Sequence, residues 1–142
     1  MTPGRFYWIR ATRPNETNVL GLAVYSDILA RETFLLGAFA DTRLAGHLDP
    51  ILRTDETGLP YAVAVLSHLG AWVSDDRLKV TTGEIAPEVY AEIEYARATG
   101  QRPTIRTGRL LRSPVLEPRW PLIEQSARRW QTTALGRETA TT

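Results

Sequence analysis

Arg13 and Thr42 are the residues of this chain best placed by type and position to do chemistry. Each lies in a polar loop that follows a short apolar run. An arginine beside a hydroxyl and a carboxylate, here Asp41, suits a phosphodiester. The guanidinium pairs with phosphate oxygens and stabilises the charge that develops as the ester breaks. Arg43 and His47 follow in the same loop. A histidine titrates near neutrality and can act as a base, although a loop position predicts that His47 is solvent-exposed. Ser67 and His68 are neighbours in an apolar run. On a strand they point to opposite faces, so they do not form a nucleophile–base pair. His68 is expected to be structural, at a strand end.

Other chemistries lack their residues. The chain has no cysteine and only two histidines, so disulfides, thiolate zinc sites and cysteine nucleophiles are excluded. It contains no phosphate loop, dinucleotide fingerprint, nucleophile elbow or H-E-x-x-H. No metal or other cofactor is expected. No apolar run approaches the ~20 residues of a membrane helix, and the first residues lack a secretory pattern. A soluble cytoplasmic protein without a membrane partner is the expectation.

The net charge of +1 conceals an uneven distribution. Residues 1–96 carry 8 basic and 13 acidic side chains, a net of −5, whereas residues 97–142 carry 9 arginines and 3 glutamates, a net of +6. A basic tail on an acidic body either folds back on that body or meets an external polyanion. Arg106, Arg109 and Arg112 are its candidates to hold nucleic acid.

The elements that must position these residues are mostly strands. Phe6–Ile9, Val19–Ser26, Thr33–Ala40, Pro50–Arg53, Tyr61–Ser67, Ala71–Val73 and Arg77–Val80 are short apolar runs between polar connections. T-D-E-T-G-L-P has the composition of a hairpin tip. This pattern predicts a mainly β fold, a small SH3-like barrel or curved antiparallel sheet. Pro87–Ala98 reads as a covering helix, with Pro87 in its first turn, Arg97 in its last and Gly100 as its left-handed stop. Val89, Ile93 and Ala96 share one face, and Glu88, Glu92 and Glu94 are expected in solvent. Residues 1–100 therefore form the predicted domain. Residues 101–142 form an extended Arg/Pro-rich tail with a short helix at about 121–130 and a frayed end from Thr133 onwards. Trp120, Trp130 and the apolar residues between them would pack on the body or on another subunit.

Three segments, G-R-F-Y-W-I-R (Gly4–Arg10), G-L-A-V-Y-S (Gly21–Ser26) and V-S-D-D-R-L-K-V with G-E-I-A-P-E-V-Y-A-E-I (Val73–Val80 and Gly83–Ile93), give the chain an order that resembles the PemK/MazF-like toxins of the CcdB/PemK superfamily. The resemblance spans roughly residues 4–98. It implies an SH3-like barrel and a toxin of a type II toxin–antitoxin system. Such a toxin is a homodimer that cleaves single-stranded RNA without metal and has an antitoxin protein as partner. Arg13 and Thr42 are the catalytic candidates under this resemblance. Arg43 and His47 are the RNA-binding candidates beside them, joined by Arg106, Arg109 and Arg112 of the basic tail, which lies beyond the residues that carry the resemblance. The family places Arg-Pro at the start of its second strand. Here Leu20 and Gly21 stand there, and Arg13-Pro14 comes earlier. A barrel that has lost catalysis and binds nucleic acid or protein through its Arg-rich tail is the alternative expectation.

Overall fold

The computed structural model describes residues 1–113 and 115–136. Its frame is one antiparallel sheet of six strands: β1 (Arg5–Ile9), β2 (Val19–Asp27), β3 (Glu32–Phe39), β4 (Ile51–Leu52), β5 (Val63–Ser74) and β6 (Leu78–Glu84). Their order is β4-β5-β3-β2-β1-β6. The sheet curls into a half-barrel whose two edges, β4 and β6, do not pair with each other. The curved sheet is thus the form that this mainly β chain takes.

Irregular pairing accompanies the curl. Register shifts interrupt β1 between Arg5 and Tyr7, β2 between Ala23 and Tyr25, and β3 between Leu36 and Ala38. Such bulges bend a strand and raise its local twist. The largest faces β5, where Leu36 pairs with Gly70 but Ala38 pairs with Val65. The sequence pattern separates Tyr61–Ser67 from Ala71–Val73, yet both belong to β5. The polar pair Ser67-His68 and Gly70 mark a bulge within one strand, and His68 lies inside it, exposed, rather than at a strand end. T-D-E-T-G-L-P connects β4 to β5 and contains a single helical turn, α1 (Thr54–Thr57).

Both faces of the sheet are covered. Phe6, Leu22, Val24 and Leu36 pack on one side with Ile93. Tyr7, Ala23 and Leu35 pack on the other with Trp130 and Ala134. This is why β2 reads as a continuous apolar run: alternate side chains enter two cores. The first cover is α2 (Pro87–Thr99), which opens at Pro87 and stops at Gly100 with φ 69°. A left-handed residue there costs little only for glycine. Ile93 and Ala96 are buried on its inner face. Two of its glutamates are engaged rather than solvated. Glu92 accepts from the Thr104 backbone N–H at 2.9 Å, and Glu94 accepts from the Tyr25 hydroxyl at 2.8 Å and pairs with Arg97 at 3.0 Å.

The second cover is α3 (Trp120–Leu135), longer than the expected 121–130. Thr133–Leu135, where fraying was expected, are helical, and the rest of that frayed end (residues 137–142) lies outside the described residues. Arg77 explains this extension. Its guanidinium donates to the carbonyls of Thr133 (2.6 Å) and Ala134 (2.7 Å) at the helix C-terminus and to that of Arg10 (2.8 Å). A cation there satisfies carbonyls that have no partner within the helix and suits its dipole. Among the described residues no helix is long and apolar enough to cross a membrane.

Candidate functional site

The extended stretch between α2 and α3 lies across the loop that follows β3. The Ile51 N–H donates to the Arg106 carbonyl at 2.9 Å, and the Gly108 N–H donates to that of Gly46 at 3.0 Å. Gly108 sits so close that a Cβ there would collide with the Ala45 carbonyl. Between this stretch, the loop and α3 runs a groove of about 460 Å³. Thr42, Arg43, Thr107, Arg109, Arg119 and Leu122 are among its lining residues.

Each wall has a local cause. Asp41 accepts from the Arg43 backbone N–H at 3.1 Å and caps a single 3₁₀ turn, Thr42–Leu44. The same carboxylate accepts from Arg43 Nε at 2.9 Å and Nη2 at 2.7 Å. These bonds hold the Asp41 carboxyl below its usual range and raise the Arg43 guanidinium. Arg43 is therefore a tethered cation on an exposed turn. The Thr42 hydroxyl and the Arg109 guanidinium make no hydrogen bond or ion pair among the described residues.

Arg119 joins the walls. Its Nη1 donates to the Ala45 carbonyl at 2.9 Å and to that of Arg43 at 3.3 Å, and its Nη2 donates to that of Arg109 at 3.2 Å. Its Nε and Nη2 also donate to the two Glu117 carboxylate oxygens at 3.0 and 3.3 Å. Only 5% of the Glu117 surface is open. Its hydrogen bond from Arg119 is the main cause that pulls its carboxyl from 4.5 down to about 2, against desolvation that opposes it. The backbone N–H groups of Arg112 and Arg119 add to the lowering.

This carboxyl sets an acid limit. A carboxyl whose pKa is lower folded than unfolded stabilises the fold above the unfolded value and loses that contribution as pH falls through the folded value. The window for Glu117 runs from 4.5 to about 2. Thermal melting followed from pH 6 to 2 is expected to drop more steeply across that window for the native chain than for Glu117→Gln. Parallel curves would show that the carboxylate does not hold the junction.

The candidate residues from the sequence divide among several places. Thr42, Arg43 and Arg109 share the groove although Arg109 lies far from the others in the chain. Arg106 and Arg112 are exposed on the same stretch but do not line it. Arg13 is in the β1–β2 loop, where its carbonyl accepts from the Glu16 N–H at 3.1 Å. Leu20 pairs with Ala38, so that loop and the exit from β3 lie at one end of the sheet, yet Arg13 is not among the groove residues. His47 is only partly exposed. Its Nδ1 is buried without a hydrogen-bond partner, in a loop fixed by Asp49, which accepts from Gly46 (2.8 Å) and Ser67 (2.9 Å) backbone N–H groups. Ser67 is buried and donates to the Leu48 carbonyl at 2.6 Å, on the opposite face from exposed His68.

Arg119 and Glu117 form a pair that no sequence motif announces. One signal was available: Glu117 is the sole acidic residue between Gln101 and Trp120, amid five arginines. A lone carboxylate in such a stretch is the natural internal partner for one of them. Among the described residues the tail's arginines form ion pairs only with Glu117 of the tail itself. Among the described residues Arg106, Arg109, Arg128 and Arg129 pair with no carboxylate.

No family model matches the chain, and no curated protein matches its sequence. The class that the fold defines is a mainly β half-barrel, six antiparallel strands sealed by a C-terminal helix.

Proposed function

We propose that the protein binds single-stranded RNA along the groove beside Thr42, as a toxin-like half-barrel. One observation carries this reading: a hydroxyl without a partner, Thr42, and a guanidinium without a partner, Arg109, line one groove together with the tethered cation Arg43. Hydroxyl donors and arginines are the groups that hold a phosphate backbone. The stretch between α2 and α3 docks through Ile105, Leu111 and backbone hydrogen bonds, and Arg106 and Arg109 on it make no ion pair among the described residues.

Metal-independent cleavage of that RNA is the stronger form of the proposal, favoured by the Thr42 hydroxyl beside the arginines, with Arg13 as a further candidate from the neighbouring loop. An antitoxin partner and a homodimer accompany that form. The test is a salt titration of a fluorescent single-stranded RNA with the full chain in EDTA, followed by product analysis. Binding is expected to weaken steeply with salt. Arg109→Ala is expected to lower affinity about tenfold and to reduce the salt slope by ~1. Cleavage products lost in Thr42→Ala or Arg13→Ala would establish the endoribonuclease, and intact RNA would leave the binding module. RNA that fails to bind at low salt, or binds equally to Arg109→Ala, overturns the proposal.

A further inference from the structure

We propose that a second recess, at the end of the sheet where β2 and β3 meet α3, is a binding pocket for a small aromatic monocarboxylate. It shares no lining residue with the groove beside Thr42 and is independent of the RNA reading. Its volume is about 240 Å³, below the range of pockets for drug-sized ligands. That size suits a ligand of one or two rings.

Small side chains open the space and aromatic ones wall it. Trp8 lies opposite Leu20, and Leu20 opposite Ala38. The chain leaves β3 through Ala40. Around these short alanines stand Trp8, Phe39, Tyr61 and Trp130. Two faces of the sheet contribute, since Trp8 and Tyr61 pack with the core under α2 while Phe39 and Trp130 pack with the core under α3. Trp130 is fixed in place by donating its Nε1–H to the Leu20 carbonyl at 2.8 Å. The aromatic walls are therefore held by the fold before any ligand arrives.

The polar lining selects the charge. Asn18, Ser126 and Arg129 are the remaining contributors that matter. Asn18 Oδ1 already accepts from the Ala11 N–H at 2.9 Å, which leaves its NH₂ to donate. The Ser126 hydroxyl and the Arg129 guanidinium have no partner among the described residues, and they lie three apart on one side of α3. Among the described residues no carboxylate lines the recess. Donors and a single cation beside aromatic walls call for a flat apolar body with one anionic group. A carboxylate matches the fork of a single guanidinium. A polyphosphate would demand more cations than this recess offers.

The full chain titrated calorimetrically with indole-3-carboxylate and 2-naphthoate tests the proposal, with the corresponding carboxamides as neutral controls. Indole N–H signals of the four tryptophans are followed in parallel by NMR. The carboxylates are expected to bind about tenfold tighter than the amides, the value of one charged hydrogen-bonded contact. Shifts should concentrate on Trp8 and Trp130. Arg129→Gln should erase the preference for the acid, because Arg129 is exposed and its loss leaves the fold intact. Ala40→Phe should fill the recess from an exposed position and abolish binding of acid and amide alike at an unchanged melting temperature. Equal binding of acid and amide overturns the proposal. So does a preference that survives Arg129→Gln, shifts confined to Trp72 and Trp120, or no response to millimolar ligand.

Discussion

Trp130→Ala is expected to lower stability by about 3–5 kcal/mol, the usual cost of removing a buried tryptophan. The side chain is 1% exposed and packs among Tyr7, Ile9, Ala23 and Leu35. Its loss removes a large apolar surface and leaves a cavity that the sheet cannot fill, because β1, β2 and β3 are held by their own pairing. It also strips the Leu20 carbonyl of its indole donor. Trp130→Phe separates the two effects. It keeps most of the packing and loses the hydrogen bond, so it should cost about 1–3 kcal/mol. Urea unfolding measures both. Limited proteolysis supplies a second readout: residues 101–136 should become cleavable in Trp130→Ala before the sheet does, as Trp130 is the largest fully buried side chain of α3. A loss below ~1 kcal/mol, the range of ordinary surface substitutions, would mean that α3 does not seal the sheet.

The need for that second cover was written in β2. V-L-G-L-A-V is apolar at successive positions, and a strand buried on one face alone would alternate. The sheet therefore required two covers, and α2 could supply only one. The sequence identifies α2 through Pro87, Arg97 and Gly100 because caps are local signals. It shows α3 less completely, because Thr133–Leu135 are held helical by Arg77, which is more than 50 residues away. Distance in the chain also hid the continuity of β5. Ser67, His68 and Gly70 resemble a connection until Gly70 is seen to accommodate the Phe34 ring from β3. The groove follows the same rule. Thr42 and Asp41 are legible as a loop with a hydroxyl beside a carboxylate. That Arg109 arrives beside them depends on Gly108 fitting against Ala45, a close approach that no periodicity announces. Arg13, by contrast, is placed at the same end of the sheet by the Leu20–Ala38 register but not in the groove.

Arg119→Ala is expected to undo the groove while leaving the sheet folded. Its side chain is 14% exposed and contributes structure through its donors rather than through open charge. Removing it frees the Arg43, Ala45 and Arg109 carbonyls together and leaves Glu117 without its bidentate partner. The immediate readout is Glu117 itself. The hydrogen bond from Arg119 is the chief cause of its low pKa, so in the variant its carboxyl should titrate closer to 4.5 than to about 2 in carboxylate-detected NMR. Arg119→Lys should resemble the alanine variant more than the native chain, because an ammonium cannot span the carboxylate and the carbonyls as a planar fork does. The RNA readout then distinguishes positioning from charge. Arg109→Ala removes one exposed cation and should flatten the salt slope by ~1. Arg119→Lys keeps its charge, so an RNA affinity reduced more than about tenfold in it reports lost geometry. Native affinity in Arg119→Lys, with Glu117 still titrating at about 2, would show that the walls of the groove stand without that fork.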